Sequence, residues 1–476
     1  MCGVVGIVGD NEVISDLHAA AYKHQHRAHR CAGMVSYDSS RSLYHTEKGI
    51  GRFTEIFTKE KLGRLKGKIA IAHLRWATKG DLKLENAHPL SGVFNGKPVF
   101  VVHNGEISFR KNLSEQFKNY QPDVTADTKF ILALIESYWG GDFTSALFNA
   151  FNIIKGTYSL IFLYDNSLYV VRDVTGNRPL FVGRREGAVC VVSESSAFNI
   201  LNIPLENTRE VEAGEMLIIR GDDLSIESMT IIGPPDIPKQ VKLCFIELMY
   251  SMYPTTVVYG RTVMNVRAKL GYTLAKKNSF DADVVVGVPD SGLDAARGFA
   301  EGAGIPIKMG LLRYHQSGRI FYYAVEERED KYVFKYDPVR EVLRDKRIVI
   351  IDDTMFASST IRNVGNICIA SGARELNIGI PSPMIVLPCY YGTPTSSDHR
   401  NLIARDHGGI VESIKNDLNK NFGGRLKSLA FLDLKDAKQA LVDTTPTLPG
   451  YDRITADNLC DACFLGGSRH IPVDTD

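Results

Sequence analysis

Apolar and polar positions alternate between two regimes along this chain. In the first half, short apolar runs are broken by turn-forming residues. The opening Met1–Gly9 reads as a strand, and Cys31–Ser36, Ile69–Leu74 and Lys97–Val102 read as further strands rich in Val, Ile and Ala. Ser159–Tyr164, Ser167–Arg172 and Ala188–Ser193 continue the pattern. Helical spacing is confined to Asn11–Tyr22, Thr128–Trp139 and Phe143–Phe151. Many short strands with few helices between them predict stacked sheets, an α+β arrangement.

The regime changes after Gly233-Pro234-Pro235-Asp236-Ile237-Pro238, a stretch with linker composition. Beyond it, continuous apolar runs at Asp283–Val288, Arg347–Ile351 and Glu375–Ile380 alternate with helical spacing at Ser291–Ala303 and Ser358–Ser371. Such runs predict a parallel sheet covered on both faces, an α/β domain. Gly318–Asp345, charged and aromatic, reads as a long loop of the kind that serves as a lid. With 476 residues the chain exceeds one core. The expected domains are 2–232 and 240–450, with a tail at 451–476.

Charge and composition narrow the function classes. The formal net charge of +1 supplies no global field for nucleic acid or anionic membrane. No apolar run is long enough to span a bilayer and no signal peptide is read, so a cytoplasmic location is expected. There the eight cysteines read as catalytic, metal-binding or buried groups rather than disulfides.

Cys2 carries the first chemistry. Removal of Met1 turns its nitrogen into an α-amine with a pKa of about 7.7–8.0. Such an amine can serve as general base for the thiol of the same residue. Downstream, Arg75 closes an apolar strand with a carboxylate-binding fork. Asn104-Gly105 pairs a side-chain amide with an unhindered backbone N–H, as an oxyanion hole requires. Asp127 offers a carboxylate to an α-ammonium. Taken singly, Arg75 also fits a surface ion pair, Asn104-Gly105 a hairpin turn and Asp127 a helix cap.

Together and in this order, Met1-Cys2-Gly3, His26-Arg27, His73 to Gly80, His103-Asn104-Gly105, Asp127, Gly156-Thr157-Tyr158-Ser159, Arg172-Asp173, Gly176 to Leu180 and Ser193-Glu194-Ser195 resemble the class II glutamine amidotransferase domain. That domain is an N-terminal-nucleophile hydrolase. The resemblance implies Cys2 as nucleophile, Asn104 and Gly105 as oxyanion hole, and Arg27, Arg75 and Asp127 as substrate-binding residues. One departure stands out: Ala28-His29-Arg30 replaces the usual Gly-Gln-acid after His-Arg.

In the second half, a buried strand ends in Asp352-Asp353, and a small hydroxyl-rich turn, Ala357-Ser358-Ser359-Thr360, enters a helix. Vicinal carboxylates suit a cis-diol, and a helix N-terminus with hydroxyls suits a phosphate. A solvated strand end with an ordinary helix cap is the plainer alternative. The pattern resembles the phosphoribosyl-pyrophosphate (PRPP) motif of type I phosphoribosyltransferases. Val288-Pro289-Asp290-Ser291-Gly292, Gly310-Leu311, Ser371-Gly372-Ala373 and Pro388 to Gly392 extend the likeness over nearly the whole chain, to the amidophosphoribosyltransferase family. The resemblance implies Asp352 and Asp353 on the ribose hydroxyls and, with Ser291, on a Mg²⁺. It further implies Ala357, Ser358, Ser359 and Thr360 around the 5′-phosphate, and Asp290, Ser291 and Gly292 against pyrophosphate. Ammonia from Cys2 chemistry then displaces pyrophosphate to give 5-phosphoribosylamine.

Departures cluster here. Ala357-Ser358 replaces Arg-Gly, Arg313-Tyr314-His315-Gln316 replaces Lys-Asn-Arg-Tyr, Thr255-Thr256 replaces Asp-Ser, and Leu293-Asp294 replaces Arg-Pro. Serine at 358 is expected to cost more than glycine if the turn needs a left-handed backbone. The alternatives these departures raise are a glutaminase with another phosphorylated acceptor and a non-catalytic PRPP or nucleotide sensor. Cys244, Cys389, Cys460 and Cys463 stand where some family members place cysteines. The resemblance thus implies a [4Fe–4S] cluster, with structural zinc as the alternative. Cys31, Cys190 and Cys368 read as small core residues. Glutamine and PRPP are the expected partners, with no nucleic acid and no membrane, in a homo-oligomer, a dimer or tetramer.

Overall fold

The structure is a computed structural model that describes residues 1–76, 82–108, 127–237, 239–314, 335–393, 402–448 and 454–472. Of the residues singled out above, 77–80, Pro238, His315, Gln316 and most of the 318–345 loop lie outside the described residues.

The chain divides into two compact units. The first comprises residues 1–244, 389–397 and 469–476, and the second 245–388 and 398–468. The Pro-rich stretch is tied to the first unit. There Gly233 N–H donates to Asn152 Oδ1 at 3.2 Å and Lys155 pairs with Asp236. The chain passes to the second unit only at Phe245. The tail is divided too, its cysteine pair falling in the second unit and residues from Arg469 onward in the first.

The first unit stacks two antiparallel sheets, as the short alternating runs predict. Its strands are β1 Gly3–Gly9, β2 Cys31–Asp38, β3 Leu43–Ile50, β4 Ile69–Arg75, β5 Leu90–Phe94, β6 Lys97–Ile107, β7 Gly156–Tyr164, β8 Ser167–Arg172, β9 Phe181–Arg185, β10 Ala188–Val192, β11 Thr208–Glu210, β12 Glu215–Arg220 and β13 Ile226–Thr230. One sheet has the order β11-β9-β10-β1-β4-β2-β3 and the other β13-β12-β8-β7-β6-β5. Val4, Val8, Ile69, Ile71 and Val191 of one sheet pack with Val102, Ile161, Val170 and Leu217 of the other. Burying a side chain of this size contributes about 1.5–3 kcal/mol. Helix α1, Ile14–Lys23, covers the outer face of β1 with Leu17, Ala20 and Ala21. This explains why β1 is apolar on both faces.

Strand β6 corrects one expectation. It does not end at Val102 but runs to Ile107, pairing Asn104 with Ser159 and Gly105 with Tyr158 of β7. Asn104-Gly105 is therefore neither a post-strand loop nor a hairpin turn. Gly105 has φ +154°, and a Cβ there would stand 2.0 Å from the Thr157 carbonyl oxygen. Only glycine lets the strand continue through this point.

The second unit holds a four-stranded parallel sheet, β14 Val284–Gly287, β15 Arg347–Ile351, β16 Glu375–Ile380 and β17 Leu426–Phe431, in that spatial order. Helices Val263–Lys277, Leu293–Ala303, Ser359–Ala370, Val411–Asn421 and Leu434–Val442 connect and cover it. Val286, Ile348, Ile350 and Ile378 form its core with Val364 and Leu418. Ligands of such sheets bind beyond the carboxyl ends of the strands, where Asp352-Asp353 stand.

Candidate active site

Cys2 sits just before β1, level with Arg75, because β1 pairs antiparallel with β4 and Gly3 faces Leu74. Its backbone is fixed on both sides. The Cys2 nitrogen donates to Asn104 Oδ1 at 3.1 Å, and the Cys2 carbonyl accepts from Arg27 Nε at 2.7 Å. The thiol lies 3.8 Å from the Trp76 carbonyl oxygen. Met1 precedes it, buried. Once Met1 is removed, the nitrogen held by Asn104 is the α-amine.

Asn104 spends its oxygen on Cys2 and leaves its nitrogen over. Nδ2 is buried and has no hydrogen-bond partner among the described residues. A buried donor of this kind needs an acceptor, and an oxyanion forming beside Cys2 Sγ supplies one.

Arg27 is fully buried. Besides the Cys2 carbonyl it binds Glu194 Oε1 at 2.5 Å, and His26 Nε2 reaches the same oxygen at 2.9 Å. Burial alone would raise the Glu194 carboxyl, but His26 and Arg27 hold it well below the usual carboxylate range. Ser193 Oγ accepts the Val4 N–H at 2.9 Å. Arg27, expected to bind substrate, thus holds the Cys2 backbone from within a buried ionic lock.

A layer of neutral histidines supports the Asn104 strand. His73 Nε2 donates to the His103 carbonyl at 2.8 Å. His88 Nε2 and His103 Nδ1 lie 2.9 and 3.0 Å from the Thr128 hydroxyl. Burial lowers all three imidazoles, His73 to about 3. Burial likewise lowers His24, to about 4, and its ring accepts the Glu194 N–H. Asp127 begins a helix, Thr128–Ser137, yet makes no side-chain cap bond to it. Its Oδ2 instead accepts the Ile107 N–H from β6 at 3.1 Å, placing the expected clamp on the strand of Asn104 and Gly105.

Cys31 is a buried core residue, as its apolar segment predicts. Cys31 pairs with Arg75 across β2 and β4. Burial raises its thiol and the adjacent guanidinium draws it back. The unusual His29 and Arg30 both pack on Trp76, His29 edge-on at 6.0 Å and the Arg30 guanidinium 5.3 Å from the ring centre. A position-by-position pairing of β2 with β4 is the signal that could have set Cys31 opposite Arg75. Cys190 and Cys368 are inert core thiols, pushed up to about 12 by burial.

In the second unit, Asp352 and Asp353 are buried at the end of β15. The Asp353 N–H donates to Asp352 Oδ1 at 3.0 Å, and Thr354 Oγ1 donates to Asp353 Oδ1 at 2.7 Å. Burial, then repulsion from Asp353, pushes the Asp352 carboxyl well above its usual range. A cation or a diol arriving here relieves that repulsion. The Val288 N–H donates to the Ile351 carbonyl at 2.9 Å, which sets the Asp290–Gly292 turn beside the two acids. Asp290 is paired with Arg313.

The Ala357–Thr360 turn corrects the expected strain at Ser358. Its φ is −80°, ordinary backbone for any residue, so serine costs nothing there. Its hydroxyl accepts from Arg362 Nε at 2.7 Å, and Arg362 also pairs with Asp417. An arginine one turn along the helix therefore reaches the turn that lacks the usual one at 357. Asp294, in place of proline, lies 3.9 Å from Arg267.

Cys244 and Cys389 belong to the first unit, and Cys460 and Cys463 to the second. All four are buried. Among the described residues no group of three or more His, Cys, Asp or Glu side chains is gathered as a metal-binding set.

Comparison with known proteins agrees with this layout. Residues 73–199 match the family model described as a glutamine amidotransferase domain. The chain is 36% identical to a chloroplastic amidophosphoribosyltransferase of Vigna aconitifolia over 98% of its length and 90% of that protein's. It is 33% identical to the Bacillus subtilis amidophosphoribosyltransferase, covering 98% and 93%. A solved structure of the B. subtilis glutamine PRPP amidotransferase, complexed with ADP and GMP, covers all of the chain and 98% of its own with a TM-score of 0.86 at 31% identity. On identity, coverage and architecture together, this chain belongs to the amidophosphoribosyltransferase family.

Proposed function

We infer that this chain catalyses glutamine-dependent synthesis of 5-phosphoribosylamine from PRPP, the first step of de novo purine biosynthesis. The observation that carries the reading is the state of Asn104. Its Oδ1 holds the Cys2 nitrogen at 3.1 Å while its buried Nδ2 has no partner among the described residues.

The chemistry follows from these groups. The α-amine takes the thiol proton, and Cys2 Sγ attacks the glutamine carboxamide carbon. Asn104 Nδ2 and the Gly105 N–H receive the oxygen as it gains charge, each such donor typically contributing 10²–10³-fold (~2.7–4 kcal/mol). The proton passes to the leaving nitrogen, ammonia departs and a thioester forms. Water, deprotonated by the same amine, then releases glutamate. Arg75 and Asp127 bind the substrate carboxylate and ammonium. At the second site the Asp352–Asp353 pair holds the ribose hydroxyls. Ala357–Thr360 binds the 5′-phosphate, with Arg362 bringing positive charge to that turn. Ammonia attacks C1 and pyrophosphate leaves beside the Asp290–Gly292 turn.

Mg²⁺ held by Asp352, Asp353 and Ser291 would neutralise charge on the departing pyrophosphate. The four-cysteine [4Fe–4S] cluster, with zinc as its alternative, rests on sequence position alone, and no step runs through it. A cytoplasmic location and a homo-oligomer complete the reading. Among the described residues no helix is long and apolar enough to cross a membrane.

Cys2→Ala tests the first half-reaction. Glutamate release is expected to fall by on the order of 10⁴-fold or more, while retained turnover overturns the mechanism.

A further inference from the structure

We propose that Tyr391-Gly392-Thr393, held in place by Arg469–Ile471, is a positioning bracket for the oxyanion donor Gly105. The proposal rests on the glutaminase reading above and adds residues nearly three hundred positions away in sequence to it.

The contact with Gly105 is direct. Gly392 has φ +96°, and a Cβ on it would stand 2.9 Å from both the carbonyl carbon and the carbonyl oxygen of Gly105. Two bare backbones are thus packed against each other at the residue whose N–H must meet the oxyanion. The preceding carbonyl fixes the bracket to the partner strand. Tyr391 O accepts from Thr157 Oγ1 at 2.8 Å, from Arg178 Nε at 3.0 Å and from Arg178 Nη2. Thr157 and Arg178 are fully buried. Thr157 pairs with Glu106 in the β6–β7 ladder, and its own carbonyl is the atom that Gly105 skirts. The bracket therefore touches both strands that define the Gly105 backbone.

The far side of the bracket is tied down as well. The Tyr391 hydroxyl donates to the Ile471 carbonyl at 2.8 Å and accepts the Ile471 N–H at 3.2 Å. The His470 ring lies 4.6 Å from the Tyr391 ring, and the Arg469 guanidinium lies 4.3 Å from the centre of the Tyr390 ring. At its start, Cys389 Sγ accepts the N–H groups of Tyr391 and Thr393 at 3.3 and 3.4 Å. A segment with this many fixed points has one backbone path, and Gly105 rests on it.

The consequence is kinetic. An oxyanion donor acts only at about 2.7–3.1 Å from where the charge develops, so a small shift of Gly105 costs transition-state stabilisation and leaves ground-state glutamine binding unchanged. None of the bracket residues is assigned contact with substrate; they act through Gly105.

The test compares Tyr391→Phe, Thr157→Val, Gly392→Ala and a chain ending at Ser468 with the full-length enzyme. For each, kcat and KM for glutamine hydrolysis are measured beside the rate at which iodoacetamide alkylates Cys2, a reaction that forms no oxyanion. The bracket predicts kcat reduced by about tenfold in Tyr391→Phe and in the shortened chain, and more in Gly392→Ala. KM and the alkylation rate should stay within about twofold of wild type. Should Gly392→Ala fail to fold, Tyr391→Phe and Thr157→Val carry the test. Unchanged kcat in those two variants overturns the bracket, as does a parallel loss of kcat and alkylation rate, which marks general collapse of the site. Cys2→Ala, measured alongside, reports separately on the glutaminase reading. If it loses turnover while the bracket variants keep theirs, the bracket alone is wrong.

Discussion

The glutamine site and the PRPP site solve opposite electrostatic problems. Around Cys2 the protein supplies its own countercharges: Glu194 faces Arg27 and His26, and the nearby histidines are kept neutral by burial. Around Asp352 it gathers like charges, two buried carboxylates on adjacent residues, and burial with repulsion from Asp353 holds the Asp352 carboxyl up. The first arrangement is finished in the free protein, and the second keeps a repulsion that a bound cation would relieve. Removing one charge from each should therefore act in opposite directions on stability.

Three changes sharpen that contrast. The largest effect is expected from Glu194→Gln, which removes the anion facing a buried guanidinium. Loss of one member of a buried pair costs about 3–5 kcal/mol. A chemical denaturation curve of the variant should show that loss, and an unchanged midpoint would contradict the lock. Next, Asp353→Asn removes one of two mutually repelling acids. Pyrophosphate release should fall on the order of 10²-fold while the melting temperature holds or rises. A variant that melts well below wild type would place Asp353 among structural groups instead.

The smallest effect is the share of the first unit's pH dependence that a single imidazole carries. The folded-state values of His24 and His73, at about 4 and about 3, are depressed from 6.5. Their contribution to stability is fully present above pH 6.5 and is lost as pH falls toward those values. The slope is about 1.4 kcal/mol per pH unit for each imidazole that stays neutral. Melting temperature followed from pH 7 to pH 5 should drop, and His73→Asn should flatten the drop. A curve indifferent to that substitution would remove His73 from the account.

The sequence made the two regimes legible because periodicity reports burial. Phe143–Phe151, Ser167–Arg172, Arg347–Ile351 and Glu375–Ile380 have the bounds that pattern predicts. It misjudged β6, since Asn104-Gly105 carries the composition of a turn. A strand passes through that pair only because β7 leaves room for a glycine and no other residue. Local composition holds no record of a neighbour more than fifty residues away.

The site was legible in its residue types and less so in their partners. Cys2 and Asn104, far apart in sequence, meet in the fold, and Asp127 reaches the same strand at Ile107. That Arg27 binds the Cys2 carbonyl rather than lying open to substrate depends on Glu194, which only the folded sheet brings near. Ser358 shows the converse. It looked strained by substitution for glycine, yet its backbone is ordinary and its hydroxyl is used by Arg362. Cys31 is core filling, as read, and its register opposite Arg75 follows from the pairing of β2 with β4.

The central claim is that ammonia made at Cys2 is spent on PRPP. Purified protein given glutamine, Mg²⁺ and PRPP tests it most directly, with glutamate and pyrophosphate measured in the same reaction. The account predicts that the two appear together in equal amounts and that both vanish in Cys2→Ala. Glutamate formed without pyrophosphate would contradict it and direct the ammonia to another acceptor.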